Sequence, residues 1–325
     1  MNLPTLRIND LEADLPIIQG GMAVRISLAP LAAAVANEGG IGLIAASGLR
    51  APELIRHIKE ARAMTGGIIG INVMVAVKEF AELVKAAIQE KIDLIVAGAG
   101  FSRDVFRWCH EAKIAVVPIV SSVKAAMMAE RFGADAVVLE GKEAGGHLGT
   151  SESTWSLLSK IVEAVKIPVI AAGGILTGAD VFRAIKEGAS GVQMGTRFAV
   201  SEESSAAQAW KEACVNATAD DVTIIESPVG LPGRALFSKF VKKLKKGEVP
   251  HHEEIEKCVT CLKECKKNYC IIEALVRAQR GDLDRGLIFC GERVGEIKEI
   301  LPVKEIIRRL IDEYAAATAE VPVLV

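Results

Sequence analysis

The segment from Glu140 to Gly149, with the sequence EGKEAGGHLG, brings two carboxylates, four glycines and an imidazole together within ten residues. Glycine lets a backbone approach a ligand closely, and histidine can transfer protons near neutral pH. A histidine in a loop can also do no more than fix the shape of that loop. We take His147 as the candidate catalytic residue, with Gly145 and Gly146 giving the backbone access to a ligand.

Two further glycine sites, Gly173–Gly174 and Gly195–Thr196, each end a short apolar run. Backbone N–H groups at such positions can bind phosphate, and Thr196 adds a hydroxyl. A helix that opens near Thr177 would add the positive end of its dipole. We predict a phosphate site here, although each pair alone could simply turn a corner.

Three other runs end in residues that leave room for a flat ring: Gly20, Gly21 and Met22 in QGGM, Gly98 in GAG, and Asn72 in INVM. The carboxamide of Asn72 can hydrogen-bond the edge of a heterocycle. Beside a phosphate site, these features indicate flavin mononucleotide, FMN, at one common mouth.

Four of the seven cysteines, Cys258, Cys261, Cys265 and Cys270, lie within thirteen residues. Four thiolates at this density can hold Zn²⁺ or an iron–sulfur cluster. The spacing does not repeat the CxxC pairs of common ferredoxins or zinc ribbons, so reduced thiols packed between helices are the alternative.

The elements that would position these residues are short apolar runs separated by amphipathic helical patterns. Such runs, rich in β-branched residues and without strict alternation, are typical of strands buried on both faces. Eight of them recur, at 15–22, 41–47, 67–74, 93–100, 115–122, 136–141, 168–174 and 191–196. Eight strand–helix units predict a (β/α)8 TIM barrel, in which the site lies at the carboxyl ends of the strands. A doubly wound open sheet is the competing fold.

The strand–helix rhythm stops after residue 216. We therefore predict a barrel domain over 1–222 and a helical C-terminal subdomain with the cysteine-rich segment over 223–325, packed on the barrel.

The net charge of −2 gives no electrostatic reason for a nucleic-acid partner. The N-terminus lacks a signal-peptide pattern and the longest apolar stretch is too short for a membrane span. We expect a cytoplasmic protein with a small-molecule partner, and the sequence leaves a homodimer open.

The motifs QGGM, GINVM, GAG, EGKEAGGHLG, PVIAAGGI and GVQMGTRF together resemble the nitronate monooxygenase family, from about residue 15 to about residue 240. FMN-dependent enoyl-ACP reductases share these motifs. The resemblance implies a TIM barrel with FMN and His147 as the catalytic residue. It also implies the flavin-site positions Gly20, Gly21, Met22, Asn72, Gly98, Ser121, Lys124, Glu140, Gly146, Gly173, Gly174, Gly195 and Thr196.

Two activities follow from the resemblance. The first is oxidation of alkyl nitronates with dioxygen; the alternative is reduction of an enoyl thioester with NAD(P)H. An inosine-monophosphate-dehydrogenase-like barrel would need a nucleophilic cysteine where the loop after the sixth run carries His147. A flavin-binding protein without activity is a further alternative.

Overall fold

The architecture, given by a computed structural model that describes residues 3–249, 258 and 260–319, is a closed barrel of eight parallel strands. A hairpin of β1 (Leu6–Ile8) and β2 (Leu11–Ala13) precedes it. The barrel strands follow one another around the ring in chain order: β3 (Ile17–Gln19), β4 (Ile41–Ala45), β5 (Ile69–Met74), β6 (Leu94–Gly98), β7 (Ala115–Val120), β8 (Val137–Glu140), β10 (Val169–Ala172) and β11 (Gly191–Met194). Strand β11 pairs with β3 and closes the ring. Each predicted run contains one of these strands, so the predicted TIM barrel is confirmed.

Burial on both faces explains why the strand sequences do not alternate. Ile18 and Leu43 belong to an apolar cluster inside the barrel, together with Leu6 and Ile8 of the hairpin. Their neighbour Ile17 belongs to the larger cluster between the strands and the helices. Both environments are dry, so each position selects an apolar residue.

Helices alternate with the strands and cover the outside of the barrel. Their bounds are α1 (Ala29–Asn37), α2 (Ala51–Met64), α3 (Phe80–Gln89), α4 (Arg103–Ala112), α5 (Val123–Arg131), α6 (Thr154–Ala164) and α7 (Gly178–Lys186). The short α8 (Thr196–Ala199) and α9 (Gln208–Val215) follow the last barrel strand. Helix α7 begins with a capping box, in which Thr177 and Asp180 each bind the other's backbone N–H. Such caps set where each helix starts and therefore where each loop at the barrel mouth ends.

The C-terminal part of the chain is more than a helical appendage. Its helices are α10 (Lys239–Lys245), α11 (Ile271–Gln279) and α12 (Val303–Ala319). It also holds β12 (Val222–Glu226) and β13 (Pro232–Leu236), which form an antiparallel sheet with β9 (Gly146–His147). The predicted boundary at residue 222 coincides with the start of β12. However, β13 pairs with β9, which contains His147, so this sheet joins the two predicted parts of the chain.

Helix α12 takes the place of the eighth barrel helix. It packs on α7 and also on α1, and a Cβ at Gly178 would overlap the backbone of Leu310. Only a glycine allows this approach of α7 to α12. The segment between α8 and α12 is therefore an insertion between the last strand of the barrel and its last helix.

Among the helices that the structure describes, none is long and apolar enough to cross a membrane.

Candidate active site

A cavity of about 250 Å³ opens at the carboxyl ends of the barrel strands. Loops after the strands and the C-terminal insertion line it together. Most of the residues predicted for the site share this cavity: Gly20, Gly21, Met22, Asn72, Gly98, Glu140, Gly145, Gly146, His147, Gly173, Gly174, Gly195 and Thr196. The structure therefore brings residues from distant parts of the sequence to one place.

Two predicted positions, Ser121 and Lys124, do not line this cavity. Ser121 packs against Gly149, on the far side of the His147 loop. Ser122 caps α5 by accepting a hydrogen bond of 3.2 Å from the N–H of Ala125, so the chain turns into the helix directly after β7. Lys124 is exposed in the first turn of that helix.

His147 is held in extended backbone by strand pairing. It lies opposite Gly233 of β13, and the N–H of Leu148 donates to the carbonyl of Pro232 at 2.9 Å. The ring lies edge-on to Phe289, with 5.2 Å between the ring centroids. Burial lowers the pKa of His147 to about 4, so the imidazole is neutral at pH 7.

The two nitrogens of the His147 ring have different surroundings. Nε2 lies 2.7 Å from Oγ of Ser227. Nδ1 makes no hydrogen bond to any described residue. It keeps some exposed surface, because it is not one of the fully buried atoms without a partner among those residues. This nitrogen is thus accessible to a ligand in the cavity.

Two side chains at the cavity have hydrogen-bond acceptors without a partner among the described residues. The carboxyl of Glu140, at the end of β8, makes no hydrogen bond within the described part of the chain, and burial raises its pKa to about 7. Oε1 of Gln193, on β11, is buried and has no partner among the same residues. A buried acceptor without a partner is rare, so Oε1 of Gln193 points to a ligand with an N–H group.

The phosphate site predicted at β10 and β11 consists of unpaired backbone donors. Within the described ranges, the N–H groups of Gly173, Gly174 and Thr196 have no hydrogen-bond acceptor. Gly173 and Gly174 have φ of 99° and 72°, a conformation that favours glycine. A Cβ at Gly195 would meet no atom closer than 3.9 Å, so this position opens directly onto the cavity.

The start of α7 does not add free donors to this site. The N–H groups of Leu176 and Thr177 donate to Asp180, both at 2.9 Å. The N–H of Gly178 donates to Glu313 of α12 at 2.6 Å. Two carboxylates therefore occupy this helix terminus, and the predicted help from its dipole is offset by their charge.

Residues of the C-terminal insertion line the cavity although sequence reasoning missed them. Arg293 donates to the carbonyl of Gly174 at 2.6 Å. The N–H of Gly291 donates to Oγ1 of Thr196 at 2.8 Å. Phe289 covers His147. The sequence around these residues has neither helical nor strand periodicity, so only the glycines of CGERVGE could have indicated a loop beside a ligand.

The lining fits the expected FMN in two respects. Unpaired N–H groups at Gly173, Gly174 and Thr196 suit a phosphate dianion, with the guanidinium of Arg293 nearby. The unpaired acceptors of Gln193 and Glu140 suit the polar edge of a flavin ring, which carries an N–H group.

The cysteines of the C-terminal insertion do not form a metal site in this structure. Among the described residues, no group of three or more histidine, cysteine or acidic side chains is arranged to hold a metal ion. Burial, with the nearby Cys270 and Cys265, raises the pKa of Cys261 to about 11. The predicted zinc or iron–sulfur site at Cys258, Cys261, Cys265 and Cys270 is therefore unsupported.

The cysteine-rich segment instead joins two loops at the barrel mouth. The N–H of Lys78 donates to the carbonyl of Cys261 at 2.9 Å, and that of Lys263 to the carbonyl of Ala76 at 2.9 Å. The N–H of Lys266 donates to the carbonyl of Pro228 at 2.8 Å. The segment thus ties the loop after β5 to the turn that carries Ser227.

The closed barrel defines a TIM-barrel protein, and its cavity lies at the carboxyl ends of the strands, where ligand sites of this fold usually lie. The sequence model of the family described as nitronate monooxygenase matches residues 6–94 and 79–313. The chain belongs to the nitronate monooxygenase family.

Three proteins that are similar to this chain carry different names. A probable nitronate monooxygenase of Staphylococcus aureus is 30% identical over 290 residues, which cover 74% of this chain and 81% of that protein. The structure of FabK from Thermotoga maritima superposes with a TM-score of 0.85 at 36% identity, covering 95% of each chain.

The third similar protein is a Mycobacterium tuberculosis enzyme, (3aS,4S,5R,7aS)-5-hydroxy-7a-methyl-1-oxo-octahydro-1H-indene-4-carboxyl-CoA dehydrogenase. It is 32% identical over 235 residues, 71% of this chain. The match spans 66% of that protein's own length.

Proposed function

We propose that the protein is an FMN-dependent oxidoreductase whose His147 contacts the substrate. The observation that carries this proposal is the shared cavity, where His147 and the unpaired N–H groups of Gly174 and Thr196 line one space. FMN, when bound, supplies the ring that accepts and passes on electrons.

Different residues of this chain have different roles at the cavity. Gly173, Gly174 and Thr196 bind the phosphate through their backbone N–H groups. Asn72 and Gln193 hold the polar edge of the ring. His147 is neutral at pH 7 because burial lowers its pKa to about 4. Its accessible Nδ1 can therefore hydrogen-bond a substrate oxygen without carrying a full charge into the cavity.

Nitronate oxidation with dioxygen is the first candidate reaction. The matching family model and the S. aureus relative both carry the name of that activity. A nitronate presents two oxygens that share a negative charge, and a donor such as His147 would orient them against the electron acceptor. In this reaction no nicotinamide cofactor takes part.

Enoyl-thioester reduction with NAD(P)H is the second candidate reaction. Its support is the likeness to T. maritima FabK, which is 36% identical and superposes over 95% of the chain. The M. tuberculosis relative also has a thioester of CoA in its name. Here His147 would hydrogen-bond the thioester carbonyl.

Anaerobic bleaching of the flavin absorbance distinguishes the two reactions. The purified protein, with its FMN, is mixed separately with ethylnitronate, NADH and NADPH in the absence of dioxygen. Bleaching by ethylnitronate alone supports nitronate oxidation. Bleaching by NADH or NADPH, followed by recovery of colour with a crotonyl thioester, supports reduction. Protein that binds no FMN, even when reconstituted, would refute the proposal as a whole.

A further inference from the structure

Arg234 of β13 contacts the loop that follows β8 through its side chain. Nη2 donates to the carbonyl of Lys142 at 2.7 Å, and Nε donates to the carbonyl of Ala144 at 3.1 Å. In the pairing of β13 with β9, Arg234 also lies opposite Gly146. Its side chain is 12% exposed, and it is not one of the residues that line the cavity. One guanidinium therefore holds two carbonyls of the His147 loop without reaching the cavity itself.

Backbone contacts of the C-terminal insertion complete the hold on this loop. The N–H of Glu292 donates to the carbonyl of Glu143 at 3.0 Å, so the insertion binds three consecutive carbonyls of the loop. A Cβ at Gly145 would lie 2.5 Å from the carbonyl carbon of Cys290. The backbone of the insertion thus packs directly on this glycine, and only a glycine allows the contact.

The direction of a bound carbonyl sets the direction of the N–H group that follows it. A trans peptide unit is planar, and its C=O and N–H groups point to opposite sides. The carbonyl of Ala144 and the N–H of Gly145 belong to one such unit, and the carbonyl points at Arg234. The N–H of Gly145 consequently points away from Arg234, toward the cavity that Gly145 lines.

The N–H of Gly145 has no acceptor among the described residues. Its neighbours in the loop differ, because the N–H of Ala144 donates to the carbonyl of Gly141 at 3.2 Å and that of Leu148 donates to the carbonyl of Pro232 at 2.9 Å. Backbone N–H groups in such loops commonly bind phosphate and other anions. Gly145 therefore offers one donor to a ligand in the cavity.

An arginine suits this task better than a lysine does. The guanidinium is planar and carries its N–H donors in a rigid fork, so one side chain can hold two carbonyls at a fixed spacing. A lysine ammonium is a single charged group on a flexible stem. The carboxylate of Glu292 lies 3.7 Å from Nη2 of Arg234, beyond hydrogen-bond distance, so the two carbonyls are the main partners of this arginine.

We propose that Arg234 is a positioning residue of the site, which directs the N–H of Gly145 toward bound FMN by holding the carbonyls of Lys142 and Ala144. The inference rests on the proposed function, because FMN is the ligand that this N–H would meet. Arg234 itself touches neither FMN nor substrate and acts through the loop. The insertion thereby sets the direction of a donor in the barrel loop, in addition to lining the cavity.

The test is the amide hydrogen exchange of Gly145, measured by NMR without FMN and with saturating FMN. Labelling with ¹³C′-alanine and ¹⁵N-glycine selects the glycines that follow an alanine, which are Gly98, Gly100, Gly145 and Gly173. We expect FMN to slow the exchange of Gly145 by about tenfold or more. Gly173 is the reference for the proposed phosphate site and should slow as well, whereas Gly100 does not line the cavity and should not change.

Variants of Arg234 separate positioning from packing. Arg234→Lys keeps the positive charge but loses the fork, so at saturating FMN it should lose most of the protection at Gly145 and keep the protection at Gly173. Arg234→Met should show the same pattern more strongly. Arg277→Met is the matched control, because Arg277 is a partly exposed arginine of the same insertion, paired with Glu273, and its loss should leave both glycines protected.

The possible failures are distinguishable. Protection of Gly173 without protection of Gly145 in the unchanged protein would overturn the inference and leave the proposed FMN site standing. Equal protection of Gly145 in Arg234→Lys and in the control would also overturn it, because Arg234 would then only fasten the insertion to the barrel. A protein that binds no FMN would refute the proposed function, and this inference with it.

Discussion

Arg293 donates a hydrogen bond of 2.6 Å to the carbonyl of Gly174, so the C-terminal insertion holds the glycine turn at the end of β10. The same Nη1 contacts Asp180 at 2.9 Å, and Nη2 contacts Glu296 at 2.7 Å. These bonds raise the pKa of Arg293 further above its usual value. The guanidinium thus remains charged and fixed beside the proposed phosphate site.

Replacing Arg293 with methionine should weaken FMN binding. A hydrogen bond that involves a charged group contributes about 1.5–3 kcal/mol, which corresponds to a roughly 10- to 100-fold rise in Kd. The change in flavin fluorescence on titration measures Kd. Arg285→Met is the matched control, because Arg285 is an exposed arginine of the same insertion, paired with Asp282. An unchanged Kd in Arg293→Met would contradict a role at the phosphate.

An aspartate at Gly195 should block the phosphate site without disturbing the fold. Its Cβ would enter open space, and its carboxylate would repel a phosphate dianion. Gly195→Asp should therefore lose FMN binding while riboflavin, which lacks the phosphate, is affected much less. Gly66→Asp is the control, because a Cβ there would also meet nothing within 4 Å. Equal losses for FMN and riboflavin would indicate a blocked cavity rather than a phosphate site.

The barrel could be predicted from sequence because each strand is buried on both faces, which leaves a short apolar run that ends in small residues. The residues at the strand ends, such as Gly174 and Thr196, follow from that register. Lys124, which only the family resemblance implied, lies outside the cavity lining, because Ser122 caps helix α5 directly after β7. Local capping chemistry thus decides which side of a loop faces the site.

The residues that the C-terminal insertion supplies to the candidate site could not be predicted from the sequence. Phe289 and Arg293 line the cavity, and Ser227 contacts His147; each of these contacts joins residues about 80 or more positions apart. Such contacts leave no local periodicity, since they depend on how β13 pairs with β9. The four cysteines suggested a metal because they lie so close together in sequence, whereas the structure uses their segment to join loops.

Two titratable side chains at the cavity, Glu140 and His147, should give opposite dependences of stability on pH. Folding raises the pKa of Glu140 from 4.5 to about 7, so the folded state binds this proton first and stability rises as pH falls from 7 to 4.5. Folding lowers the pKa of His147 from 6.5 to about 4, so the unfolded state binds that proton first. Stability from this group is therefore lost as pH falls from 6.5 to 4.

Glu140→Gln tests the first of these effects. It removes the cost of a buried charge, so the flavin-free variant should be more stable than the unchanged protein at pH 8, by at most about 3 kcal/mol. The difference should shrink as pH falls toward 4.5. Urea denaturation at pH 8, 6 and 5 measures it, and a difference that does not depend on pH would contradict the raised pKa. His147→Gln should instead gain relative stability at acid pH.

Loss of the imidazole at residue 147 should leave a folded protein that binds FMN and is slow. His147→Gln keeps a side chain of similar reach in a strand that is held by β13, and the proposed phosphate site lies elsewhere. Turnover on the substrate that bleaches the flavin should fall by about 10²–10⁴-fold, the usual scale for one group in acid–base or electrostatic catalysis.

The pH profile of His147→Gln gives a further check. Because burial lowers the pKa of His147 to about 4, its protonation should reduce kcat/KM of the unchanged protein only near that pH, and the variant should lack this acid limb. His110→Gln is the matched control, since His110 is exposed on α4 and contacts the carbonyl of Gly133 at 2.8 Å. Turnover of His147→Gln within threefold of the control would mean that His147 only fixes the shape of its loop.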